Sequence, residues 1–221
     1  MKLFIKALIK FTVGLFLVGT LLFWPAGSFH YRNAWLFLGL LFLPILCLGI
    51  FLFFKAPALL EKRLNAKEKE DTQKGVVALS GLLFFVGFIV AGLDFRFCWS
   101  HVPRWVVVLA SAILLVSYAL YAEVMRENAY LSRTIEVQEG QKIVDQGLYG
   151  IVRHPMYAVT VWLFFSIPLV LGSWYAFLCF VPYVALLVLR IKNEEKVLEE
   201  GLEGYTEYKK RVKYRLFPWI W

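Results

Sequence analysis

Reactive and charge-bearing side chains stand directly against apolar sequence at two places: Arg153, His154 and Tyr157 in GLYGIVRHPMYAVTVWLFF, and Arg190 and Glu194 in LRIKNEE. A guanidinium grips carboxylates through paired hydrogen bonds, an imidazole exchanges protons near neutrality, and a carboxylate takes up protons or holds cations. Residues four apart share a helix face, so Arg190 and Glu194 stand together, whereas Glu195 is expected to point elsewhere. Between the two places the apolar sequence is broken only by Gly172-Ser173. His154 precedes that turn by about 18 residues and Arg190 follows it by about 17, so at roughly 1.5 Å per residue both reach the same depth. Interfacial anchors would use the same residue types. Convergence of an Arg-His-Pro start and an Arg-x-x-x-Glu exit argues instead for a pocket open to water on one side and lipid on the other. Such a pocket suits a reaction between a polar cofactor and a greasy substrate.

The elements that must position these residues follow from composition. Of 221 residues, 60% are hydrophobic and 18% charged, a balance that belongs to the bilayer. Apolar runs at 7–24, 34–54, 76–93, 105–122, 156–171 and 174–190 approach the roughly 20 residues that cross about 30 Å of hydrocarbon. The expected fold is therefore all-α: a polytopic membrane bundle of six spans, with a C-terminal helical hairpin and a cytoplasmic cofactor pocket. It divides into four N-terminal spans over residues 1–122 and a catalytic half over 123–221. Residues 1–24 lack a small-residue cleavage pattern and are read as the first span. Alternate loops carry 21 of the 24 Lys and Arg, which predicts an integral, multi-pass protein with both termini cytoplasmic. Trp24, Trp35, Trp99, Trp105 and Trp174 fall at the opposite, outer ends.

The second loop, residues 55–75, mixes both charges and is expected to form an amphipathic helix on the inner face. The fourth loop interleaves Ile135, Val137, Ile143, Val144, Leu148 and Tyr149 with polar residues, which favours an ordered segment, and Asp145-Gln146-Gly147 marks a turn within it. The net charge of +8 concentrates on the inner loops and needs no nucleic-acid partner. Cys47, Cys98 and Cys179 lie apart and predict neither a metal site nor a disulfide, and His30 and His101 read as surface residues. No phosphate-binding glycine loop, acyl-transfer elbow, zinc-protease helix or dinucleotide fingerprint occurs. The spans are nearly free of mid-membrane charge, which disfavours transport.

GLYGIVRHPMY, the two-span hairpin, RIKNEE and the tail GYTEYKKRVKYRLFPWIW occur in that order. Residues 123–221 thereby resemble the isoprenylcysteine carboxyl methyltransferase and phospholipid methyltransferase superfamily of integral-membrane enzymes. The resemblance implies S-adenosylmethionine as cofactor, held by Gln141, Lys142, Ile143 and Val144, by Tyr149, and by Arg153, His154, Pro155 and Met156. It implies that Arg190 handles the reacting group of the substrate and that Glu194 is the essential acid, also beside the cofactor. Leu202-Glu203-Gly204 departs from the aromatic-glycine pair often found before the tail tyrosine, which leaves Tyr205 and Tyr208 without assigned roles. The implied partners are a lipophilic small molecule and membrane lipid, with no obligate protein partner. The acceptor that the resemblance implies is an isoprenylcysteine-like carboxylate, with a phospholipid amine or a small thiol as alternatives. Membrane sterol reductases share a related C-terminal half and form a rival reading, as does a non-catalytic scaffold.

Overall fold

The computed structural model describes residues 2–57, 60–61, 64, 71–128, 130–131, 135 and 137–221, and at 71 and 72 the backbone alone. The long helices are α1 (Lys2–Ala26), α2 (Arg32–Lys55), α3 (Asp71–Phe97), α4 (Arg104–Glu127) and α5 (Pro155–Leu171). They are followed by α6 (Trp174–Phe180), α7 (Tyr183–Gly201) and the short α8 (Tyr205–Arg211). No strand occurs among the described residues. Much of the expected amphipathic segment, at 58–59, 62–63 and 65–70, lies outside them.

Lys2–Ala26, Arg32–Lys55, Gln73–Phe97, Arg104–Glu127 and Trp174–Gly201 are each long and apolar enough to cross a membrane. The sixth expected span, α5, is apolar but only 17 residues long. Its limits have local causes. Pro155 is its first residue, where a missing N–H costs nothing, and Gly172 ends it in the left-handed conformation, φ 81°. A Cβ at Gly172 would also press on the Asn33 side chain. The returning leg is longer than the expected 174–190 and is broken between α6 and α7 at Val181-Pro182. Proline there donates no backbone hydrogen bond, and the helix restarts on the Pro182 carbonyl, which accepts from Ala185 N–H at 3.1 Å.

The bundle closes around one apolar core shared by both halves, centred on Leu22, Phe37, Phe88, Leu114, Leu171 and Phe180. Buried alanines (Ala26, Ala34, Ala91, Ala110 and Ala176) let the helices approach where no hydrophobic force distinguishes protein from lipid. The most extensive helix contacts are α4 with α5 and α1 with α3. At the hairpin turn a buried carboxylate fastens the elements. Asp94 accepts from Ser100 N–H at 2.7 Å, from the Ser100 hydroxyl at 2.6 Å, and from the Ser173 hydroxyl. Ser173 in turn caps α6 by accepting from Ala176 N–H at 3.0 Å. Tyr31 donates to the Leu171 carbonyl at 2.6 Å from the start of α2. His30 and His101 are exposed at this same end.

Candidate active site

At the other end of the hairpin the fourth loop folds back over the starts and ends of the helices. Glu127, the last residue of α4, accepts from Leu148 N–H through both oxygens, at 3.1 and 2.9 Å. That contact needs Gly147, whose φ is +57° and where a Cβ would collide with the Glu127 carboxylate. The expected turn at Asp145-Gln146-Gly147 therefore exists, and it opens a short 3-10 turn over Gly147–Gly150. Tyr149, carried on that turn, accepts from Asn128 Nδ2 at 3.0 Å, and its carbonyl accepts from the Tyr208 hydroxyl at 2.8 Å. Burial pushes the Tyr149 phenol up to about 12, against the opposing hydrogen bond from Asn128. Burial likewise holds the Tyr205 and Tyr208 phenols well above their ordinary value. All three phenols are neutral at physiological pH and are not bases.

Between loop, hairpin mouth and α8 lies a cleft with about 810 Å³ of open space, its mouth included. Its walls include Gln141, Lys142, Ile143, Val144, Tyr149, Arg153, His154, Met156 and Glu194. Of the residues named from sequence, Pro155 is buried as the first residue of α5, and Arg190 stands behind the wall. Arg190 and Glu194 are joined through Tyr157, which the sequence places beside Arg153 and His154 without giving it this role. The Tyr157 hydroxyl donates to Glu194 Oε2 at 2.5 Å and accepts from Arg190 Nε at 3.0 Å. Tyr157 is two residues past Pro155, so the proximity of Arg-His-Pro to the Arg-x-x-x-Glu exit was its available signal.

Glu195 points away from the Arg190–Glu194 pair, as its helix position requires, but not into solvent: it is 3% exposed and lies at the centre of a polar network beside the cleft. Its Oε1 accepts from Arg153 Nε at 2.7 Å, with His154 Nε2 at 3.4 Å, and its Oε2 accepts from Arg215 Nε at 2.8 Å. Glu194 turns toward Tyr157 and Glu195 toward the returning tail. Arg153 also donates from Nη1 to the carbonyls of Val212 and Lys213 at 2.7 and 2.8 Å. The backbone N–H groups of Arg153 and His154 donate to Tyr214 and Arg215 carbonyls, each at 2.9 Å. Arg153 thus lines the cleft while its Nη1 holds the tail and its Nε holds Glu195 of α7.

Comparison with known sequences bears on this region. Residues 104–200 match the isoprenylcysteine carboxyl methyltransferase (ICMT) family. The ICMT match opens with α4, before residue 123, and stops within α7, short of the tail. An uncharacterized Bacillus subtilis protein, YpbQ, is 28% identical over 140 residues, covering 63% of this chain and 82% of that protein. The mouse Delta(14)-sterol reductase TM7SF2 is 32% identical over 91 residues, 40% of this chain. The chain spans only 22% of that reductase. The ICMT family domain and the apolar helices together support an integral-membrane methyltransferase.

The cleft suits the cofactor that the ICMT resemblance implies. The Tyr205 hydroxyl, in its wall, is buried without a hydrogen-bond partner among the described residues. An orphaned buried donor is a place for a polar ligand atom such as a ribose hydroxyl. Glu194 offers a carboxylate for an ammonium group, and Ile143, Val144, Leu198 and Leu202 give an apolar wall for a base.

Proposed function

We propose that the chain is an S-adenosylmethionine-dependent methyltransferase whose acceptor is a lipophilic molecule bearing a carboxylate-like oxygen acid. The observation that carries this reading is the hydrogen-bonded row from Glu194 in the cleft wall through Tyr157 to Arg190. It sets a carboxylate facing the cofactor cleft in line with a guanidinium on the membrane side of the same helix. When bound, the cofactor supplies a sulfonium methyl, whose transfer to a carboxylate oxygen forms a C–O bond, breaks a C–S bond and cancels one charge of each sign. A carboxylate is already ionised near neutrality and needs no base. The work left to the protein is placement of nucleophile and methyl about 3–3.5 Å apart and in line. Arg190 orients the acceptor through paired hydrogen bonds. Glu194, fixed by Tyr157, receives the ammonium of the cofactor, and Tyr205 offers its free hydroxyl. The lipophilic body enters sideways from the bilayer. The concentration of basic residues on alternate loops supports a cleft and two termini on the cytoplasmic side.

The test is purified protein in lipid nanodiscs, given methyl-labelled S-adenosylmethionine with total lipid or N-acetyl-S-farnesylcysteine, followed by identification of the labelled product. Arg190→Ala and Glu194→Ala are expected to remain folded in detergent and to lose methyl transfer by about 100-fold or more. Undiminished turnover removes that residue from the mechanism. Label on an amine or thiol moves the acceptor to the alternative classes. NADPH-driven reduction of a double bond, without binding of S-adenosylmethionine, would favour the reductase-like reading.

A further inference from the structure

Behind Arg190 lies a side chain from the other half of the molecule. Gln73, in the first turn of α3, is 0% exposed, and its Oε1 accepts from Arg190 Nη1 at 2.9 Å. Arginine only donates, so the carboxamide oxygen must face it and the amide nitrogen must face away. That nitrogen, Nε2, is buried and has no hydrogen-bond partner among the described residues. Buried carboxamide donors are nearly always satisfied, and one left open beside a substrate-handling arginine is unexplained by folding alone. α3 precedes the ICMT-matched segment, so nothing in that match assigns the residue a role.

We propose that Gln73 is a specificity-determining residue: it fixes Arg190 through its oxygen and presents its Nε2 protons to an oxygen of the methyl acceptor. This rests on the function proposed above and adds to it a second donor from outside the catalytic half. The Arg190 guanidinium and the Nε2 of the carboxamide joined to it are both donors, which fits an acceptor oxygen carrying negative charge. A protonated amine would be repelled by the guanidinium and could accept from neither.

Two substitutions separate this role from simple support of Arg190. Gln73→Glu keeps an oxygen for Arg190 but removes the donor and sets a negative charge against the acceptor. Gln73→Met removes both contacts. Each variant is compared with wild type for methylation of N-acetyl-S-farnesylcysteine, for equilibrium binding of that acid against its methyl ester, and for S-adenosylhomocysteine binding. Both variants are expected to raise the acceptor KM at least tenfold and to lose the preference for acid over ester. S-adenosylhomocysteine affinity is expected to stay within twofold of wild type. If Gln73→Glu behaves as wild type, Gln73 only supports Arg190 and the inference falls while the function stands. If cofactor affinity drops in step with acceptor affinity, the residue is structural and the inference falls likewise. A wild-type protein that neither binds nor methylates the acid overturns the proposed acceptor class, and this inference with it.

Discussion

Two adjacent glutamates do different work because one helical step turns side chains by about 100°. Glu194 faces the cleft through Tyr157, whereas Glu195 is enclosed by Arg153, His154 and Arg215. The i,i+4 rule puts Glu194 on the Arg190 face, and in the fold the Tyr157 hydroxyl bridges the two. It could not reveal Glu195, because its partners come from other parts of the chain, and one of them, Arg215, is 20 residues further along. Removing one member of a buried ion pair leaves the other charge stranded, at a typical cost of about 3–5 kcal/mol. Glu195→Leu is therefore expected to lower the thermal unfolding midpoint in detergent sharply, since Arg153 is 6% exposed. Adding Arg153→Met should restore much of that loss. A single variant as stable as wild type would show that the network is not structural.

The hairpin of α5 with α6 and α7 was legible from composition, because a two-residue polar break between apolar runs leaves little other geometry. Its fastening was not. Asp94 reads in sequence as a lone acid at a span end, and only the fold brings Ser100 and Ser173 onto its two oxygens. The break at Pro182 was equally hidden, since Pro182 interrupts neither hydrophobicity nor span length. Asp94→Ala removes the acceptor of three hydrogen bonds from an environment where Asp94 is 1% exposed. The expected cost is about 2–4 kcal/mol, read as a lowered unfolding midpoint. Cofactor affinity should be unchanged at permissive temperature, because the latch is separated from the cleft by the length of α5, about 25 Å. Loss of cofactor binding without loss of stability would contradict this division of labour between the two ends.

For the molecule as a whole, apolar runs foretold an all-helical membrane bundle, and the motifs lie in the half whose residues line the cleft. They gave no view of Gln73, a neutral residue in a charged loop, nor of how the tail pairs, because its contacts use backbone carbonyls that any residue supplies. The alternation of basic loops predicts that reporter domains fused at either terminus both report cytoplasm: fluorescent protein bright, alkaline phosphatase inactive. Opposite signals from the two ends would mean an odd number of crossings and would exclude α5 as a full span. The docked tail also has a consequence for biosynthesis. Carbonyls that hold Arg153 follow it by 59 and 60 residues, so a nascent polypeptide can have the hairpin inserted while the groove beside it is still unfinished. Completion of that groove is thus deferred until translation has passed residue 215, after the hairpin itself has been made.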